Sequence, residues 1–107
     1  MRPTEIDLPA LALDWHRAGR RVAIATVVET WGSAPRPVGS LLVIDAEGAM
    51  EGSVSGGCVE GAVILEAQEA LAEGGARLLD YGVSDDDAFA VGLACGGRIR
   101  VFVERIG

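Results

Sequence analysis

The apolar positions of this chain change period several times, and each change marks a new element. Leu8, Leu11, Trp15 and Ala18 recur at helical spacing, so Asp7 to Ala18 reads as a helix. Asp7 is placed to cap it, Pro9 is tolerated in its first turn, and Gly19 ends it. Trp15 and His16 are read as packing and surface residues of that helix. Val22-Ala23-Ile24-Ala25-Thr26-Val27-Val28 is a continuous apolar, β-branched run, which predicts a central strand covered on both faces. Leu41 to Ile44 is a second such run. Glu47-Gly48 then turns the chain into Ala49 to Val54, so these two strands are expected to form a hairpin.

The period returns to helical after Cys58. Val59, Ala62, Val63, Ala67, Ala70 and Leu71 fall on one side, and Glu66, Glu69 and Glu73 on the other, until Gly74-Gly75 stops the helix. Ala76 to Tyr81 predicts a strand. Ser84-Asp85-Asp86-Asp87 resembles a short helix start, with its acids complementing the dipole rather than holding a metal. Ile99, Val101 and Val103 alternate with Arg98, Arg100, Phe102 and Glu104, predicting a last strand. No linker or repeat interrupts the order. We therefore expect one compact α/β domain over residues 1–107, a mixed β-sheet of about five strands with covering helices.

Composition narrows the functional classes. A chain of 107 residues buries enough surface to fold without disulfides. The start carries acids and no hydrophobic signal core, and the apolar runs are too short to span a bilayer, so the cytoplasm is the expected location. The net charge is −7, and all nine cationic side chains are arginines. Such a surface excludes nucleic acid and anionic membrane as expected partners. The absence of lysine excludes Schiff-base chemistry and a lysine-bearing phosphate loop. With His16 as the single histidine and no C-x-x-C, a conventional zinc site is not expected.

Three glycine-rich loops remain as carriers of chemistry. Ser55-Gly56-Gly57-Cys58 follows a strand and opens a helix, where backbone N–H groups favour an anion and the helix dipole favours a thiolate. Glu60, just inside the helix, complements the dipole or reaches a ligand. Gly92-Leu93-Ala94-Cys95-Gly96-Gly97 sets the only other cysteine in a similar loop. Between the first two strands, Pro35 and Pro37 stiffen the backbone around Arg36, whose planar fork suits phosphate or carboxylate. A structural pairing of Arg36 with an acid is the alternative. Ser33 either donates to the same anion or stabilises its own turn.

The stretches ATVVETWGSAPRPVGSLLVI, EGSVSGGCVEGAVILEAQEAL and LLDYGVSDDDAFAVGLACGGRIRVFVE together resemble the N-terminal domain of the XdhC/CoxI family. The resemblance runs from about Val22 to Glu104, with GSxPRPxG, SGGCVE and GLxCGG in the expected order. It implies an accessory protein that binds molybdenum cofactor as cargo and assists its sulfuration or insertion. The recipient would be a molybdoenzyme of the xanthine dehydrogenase or carbon monoxide dehydrogenase type. A terminal phosphate would suit backbone N–H groups and Arg36, and a thiophilic metal would suit a thiolate. The candidate cofactor-binding residues are Ser33, Arg36, Ser55, Gly56, Gly57, Cys58, Glu60, Cys95, Gly96 and Gly97, with Cys58 and Cys95 as ligands of the cofactor molybdenum. No catalytic residue is assigned.

Relatives with this domain continue into a Rossmann-like nucleotide-binding domain that these residues do not include. A separate Rossmann-domain protein, a cysteine desulfurase and a second copy of the chain are therefore expected partners. Cys58 and Cys95 are expected to face one cavity, with Cα atoms within about 10 Å. Two other classes are kept: a thiol-dependent redox enzyme using Cys58 and Cys95, and an interaction subunit that binds no cofactor itself.

Overall fold

A computed structural model of the chain describes residues 7–32, 36–54, 59–82 and 98–106. Its centre is strand β1 (Val22–Trp31), which pairs antiparallel with β2 (Leu41–Asp45) on one edge and with β5 (Arg98–Arg105) on the other. β3 (Met50–Gly52) extends the sheet beyond β2, and β4 (Ala76–Gly82) closes the opposite side against β5. The order is β3-β2-β1-β5-β4. The expected β2–β3 hairpin is present, pairing Leu42 with Gly52 and Ile44 with Met50.

The sheet is antiparallel in every pairing, where a mixed one was expected. The reason lies in the crossover. β3, helix α2 (Glu60–Glu73) and β4 follow one another as a β-α-β unit, and its two strands do run in the same direction. They occupy opposite edges of the sheet, however, so α2 spans the whole sheet and no two parallel strands become neighbours.

Alternation along the strands assigns each residue a face. Ala23, Ala25 and Val27 of β1, Leu42 and Ile44 of β2, and Ile99, Val101 and Val103 of β5 form one buried layer. Val59, Val63, Ala67 and Leu71 cover it from the α2 side, as the helical period predicts. The other face is covered only in part. Helix α1 (Leu8–Arg17) seats Ala12 on Val22 and Val43, with Leu8, Trp15 and Ile24 packed alongside. Ala12 is the one fully buried residue of this helix; Leu8 and Trp15 pack half-buried against the same cluster, Leu11 is half-buried, and Ala18 lies exposed beyond the helix end. The expectation that β1 is covered on both faces holds from Val22 to Ala25. Beyond that α1 gives no cover, and Val28, at an irregularity between Val27 and Glu29, is exposed.

Capping follows the sequence reading: Ala10 N donates to the Asp7 carboxylate at 3.1 Å, and Gly74 caps α2. The carboxylates on the outer face of α2 do more than meet solvent. Glu66, Glu69 and Glu73 all bond the Arg77 guanidinium at 2.7 to 2.8 Å, tying α2 to β4. The short acidic helix expected from Ser84 lies outside the described residues.

Asp45 locks the β2–β3 turn. Its Oδ1 accepts from Glu47 N at 3.0 Å and Ala49 N at 2.8 Å, while Oδ2 takes the Arg20 guanidinium. Arg20 in turn lies 3.8 Å over the Trp15 ring, joining α1 to this turn. Burial pushes the Asp45 pKa up, but the Arg20 bond, the two amides and the Arg20 charge outweigh it and hold the carboxyl below its ordinary 3.8. A depressed folded pKa contributes stability that is present above 3.8 and lost as pH falls through the folded value. Asp45→Asn should therefore lower unfolding free energy at pH 7 by about 1–2 kcal/mol. Urea titrations of both proteins at falling pH should show that gap closing below the ordinary carboxylate range.

Candidate functional site

The register fixes which strand ends lie together. β1 ends at Trp31 opposite Arg98, the first residue of β5, and Gly82, the last of β4, also faces Arg98. On the other side of β1, Leu41 begins β2 opposite Thr26, and Gly52 ends β3 opposite Leu42. The segments 33–35, 55–58 and 83–97 therefore all leave and re-enter the described structure at one end of the sheet. Those segments hold Ser33, Ser55, Gly56, Gly57, Cys58, Cys95, Gly96 and Gly97, which lie outside the described residues. The predicted separation of Cys58 from Cys95 lies outside them as well.

Arg36 is described, and it is exposed. It makes no ion pair among the described residues, so the structural pairing weighed from sequence is not found there. The segment behind it is tightly held. Gly39 N donates to Val27 O at 2.8 Å, Val27 N to Ser40 O at 2.9 Å, and the Ser40 hydroxyl to Pro37 O at 2.7 Å. Arg36 borders an open cavity of about 530 Å³ between this segment and the start of α1, lined also by Leu8, Pro37, Val38 and Leu41. Leu41 connects this cavity to the next strand, because Leu41 O accepts from Ser53 N at 3.0 Å.

Glu60 is the described residue whose position the sequence did not convey. It opens α2, yet its side chain is buried. Its Oε2 accepts from the Ser53 hydroxyl at 2.6 Å and from Val54 N at 3.0 Å. The carboxylate thus folds back from the helix start onto the exit of β3. An acid at a helix start normally reads as a solvated complement to the dipole. Only Ser53, a hydroxyl beside the glycine loop, hinted at a partner.

Other groups near the sheet ends are committed elsewhere. Among the described residues no cluster of three or more His, Cys, Asp or Glu side chains could hold a metal ion. A second cavity, about 600 Å³, lies at the opposite end of the sheet beside Arg20 and Arg21. Its cations are already used: Arg20 bonds Asp45, and the Arg21 guanidinium donates to Leu71 O at the end of α2. Tyr81 is buried beneath α2, and burial, then the nearby Glu66 charge, pushes its phenol up to about 12. No helix among the described residues is long and apolar enough to cross a membrane.

Residues 15–82 match the model of the XdhC and CoxI family. The chain belongs to that family. Over 95 residues it is 37% identical to the molybdenum cofactor insertion chaperone PaoD of Escherichia coli K12, covering 89% of this chain and 30% of PaoD. It is 34% identical over 101 residues to a probable xanthine dehydrogenase subunit of Bacillus subtilis 168, covering 92% of this chain and 29% of that protein. A crystal structure of a xanthine dehydrogenase from Bacillus halodurans superposes with a TM-score of 0.74 at 28% identity, over 92% of this chain and 30% of that one. This XdhC/CoxI chain thus spans about 30% of the length of PaoD and of the superposed structure.

The strand that leads toward Ser55 to Glu60 passes through a tight point. Gly52 has φ +97°, and a Cβ there would collide with the Leu41 carbonyl oxygen and lie 2.9 Å from Leu8 Cδ1. Gly39 has a similar φ of +95° but open space around it. Gly39→Ala should therefore cost only the backbone conformation, about 1 kcal/mol, and Gly52→Ala about 2–4 kcal/mol because overpacking adds to it. Equal losses in urea unfolding would show that β3 yields and that the close approach sets nothing.

Proposed function

We propose that this domain binds molybdenum cofactor as cargo and assists its sulfuration or insertion into a molybdoenzyme of the xanthine dehydrogenase or carbon monoxide dehydrogenase type. The observation that carries this reading is an exposed Arg36, without an ion pair among the described residues, beside an open cavity. It lies at the sheet end where the strands flanking the glycine-rich segments converge. The likeness to PaoD, a molybdenum cofactor insertion chaperone, supports it. Arg36 would take the anionic end of the cofactor with a charge-assisted fork, helped by Ser33 and the N–H groups of Ser55, Gly56 and Gly57. Cys58 would contact the metal end, with Cys95, Gly96 and Gly97 as the second contact. The role is that of an accessory protein, not an enzyme, and it is exercised in the cytoplasm.

Its partners would be the recipient enzyme, a cysteine desulfurase and a separate Rossmann-domain protein. The uncovered half of the sheet face, with Val28, Trp31 and Leu78 exposed, supports self-association as well.

Purified protein is mixed with molybdenum cofactor, and co-eluting pterin and metal are measured. Cys58→Ser should lower bound molybdenum strongly with little change in melting temperature. Arg36→Ala should weaken pterin binding by about 1–3 kcal/mol. Full cofactor retention by the Cys58→Ser, Cys95→Ser double variant would remove thiolate ligation and leave the anion contacts alone to explain binding.

A further inference from the structure

We propose that Glu60 is the positioning residue of the segment that carries Cys58, holding the exit of β3 and the start of α2 at a fixed separation through its own carboxylate. The functional consequence rests on the cofactor reading above; the mechanical one does not. Val54 and Val59 flank residues 55–58, and both are buried in the core beneath α2. Apolar burial holds these two ends inside but is non-directional, so it does not set their register. The Glu60 carboxylate does: from the first residue of α2, its Oε2 reaches the Ser53 hydroxyl at 2.6 Å and Val54 N at 3.0 Å. Ser53 is itself tied to β2 through its N–H on Leu41 O at 3.0 Å. The helix start is thereby referred to the same Leu41 that lines the Arg36 cavity.

A glutamate serving only the helix dipole would stay in water, where that interaction needs no burial. Glu60 is 6% exposed, and burying a carboxylate is costly unless charge-assisted bonds offset it. Both of these bonds run from the helix start to the strand exit. On this reading Glu60 supports Cys58 from behind, in addition to any ligand contact of its own.

The test compares Glu60→Ala, Glu60→Gln and Ser53→Ala with a core control, Val101→Ala. Amide exchange of Val54 by NMR, co-eluting molybdenum cofactor and melting temperature are read for each. Glu60→Ala should speed Val54 exchange and lower cofactor retention by about tenfold each, the scale of one lost charge-assisted bond. The amide oxygen of Glu60→Gln can accept the same two bonds and should restore both readouts nearly to wild type. Ser53→Ala should fall between, and carries the test with Glu60→Gln if Glu60→Ala fails to fold. Val101→Ala should lower the melting temperature and keep the cofactor. Unchanged Val54 exchange in Glu60→Ala would overturn the clamp. Faster exchange with full cofactor retention would overturn its role in positioning. If the wild-type protein retains no cofactor, the functional reading falls, and accelerated Val54 exchange rescued by Glu60→Gln still upholds the clamp.

Discussion

Strand β1 is hydrogen-bonded along both edges and packs on both faces from Val22 to Ala25, burying Val22, Ala23 and Ala25 and half-burying Ile24, and this double demand organises the rest of the molecule. Each face needs a separate cover. Ala23 and Ala25 keep the α2 side flat, so the helix can bring Val63 and Ala67 into the same cluster. The opposite side receives α1, which is ten residues long and seats on Val22 and Val43 of β1 and β2. One short helix cannot cover five strands, and among the described residues nothing covers the β4–β5 half of that face. Leu78 stands 56% exposed there, among the ion-paired side chains of Glu29, Asp80, Arg98 and Arg100.

The long crossover follows from the same geometry. With β2 and β5 occupying both edges of β1, β3 and β4 can join only at the outside. Helix α2 must then travel from one edge of the sheet to the other. A crossover also returns the chain to the end where it started, so β4 runs toward the end at which β3 stopped. This is why three glycine-rich segments, scattered along the sequence, are bounded by strand ends on one side of the domain.

Most elements were legible in the sequence because each has a clean period and clear punctuation. The β-branched run of β1, the alternation of β5 and the Asp7 and Gly74 ends of the helices read directly. Strand direction did not, because a β-α-β order says that two strands run the same way without saying that they are adjacent. Long-range polar contacts were also hidden. Glu66, Glu69 and Glu73 look like a solvated stripe until β4 sets Arg77 beside them. At the site, the exposure of Arg36 agreed with its proline-flanked setting, whereas the inward turn of Glu60 depends on Ser53, seven residues back and just past the end of β3. The two cysteine loops lie outside the described residues, and the part proposed for them rests on chemistry and family likeness.

The described ion pairs that join these elements share a property that the choice of cation imposes. Each uses a guanidinium, on Arg20, Arg77, Arg98 or Arg100, in a chain that has no lysine. Bonds to Glu69 and Glu66 hold Arg77 still more firmly protonated, and bonds to Asp80 and Glu29 do the same for Arg100. A guanidinium keeps its proton at any pH a folded protein survives, so pH can cut these links only by protonating their carboxylates. The electrostatic seams of the domain are therefore one-sided: acid opens them, and alkali leaves them closed.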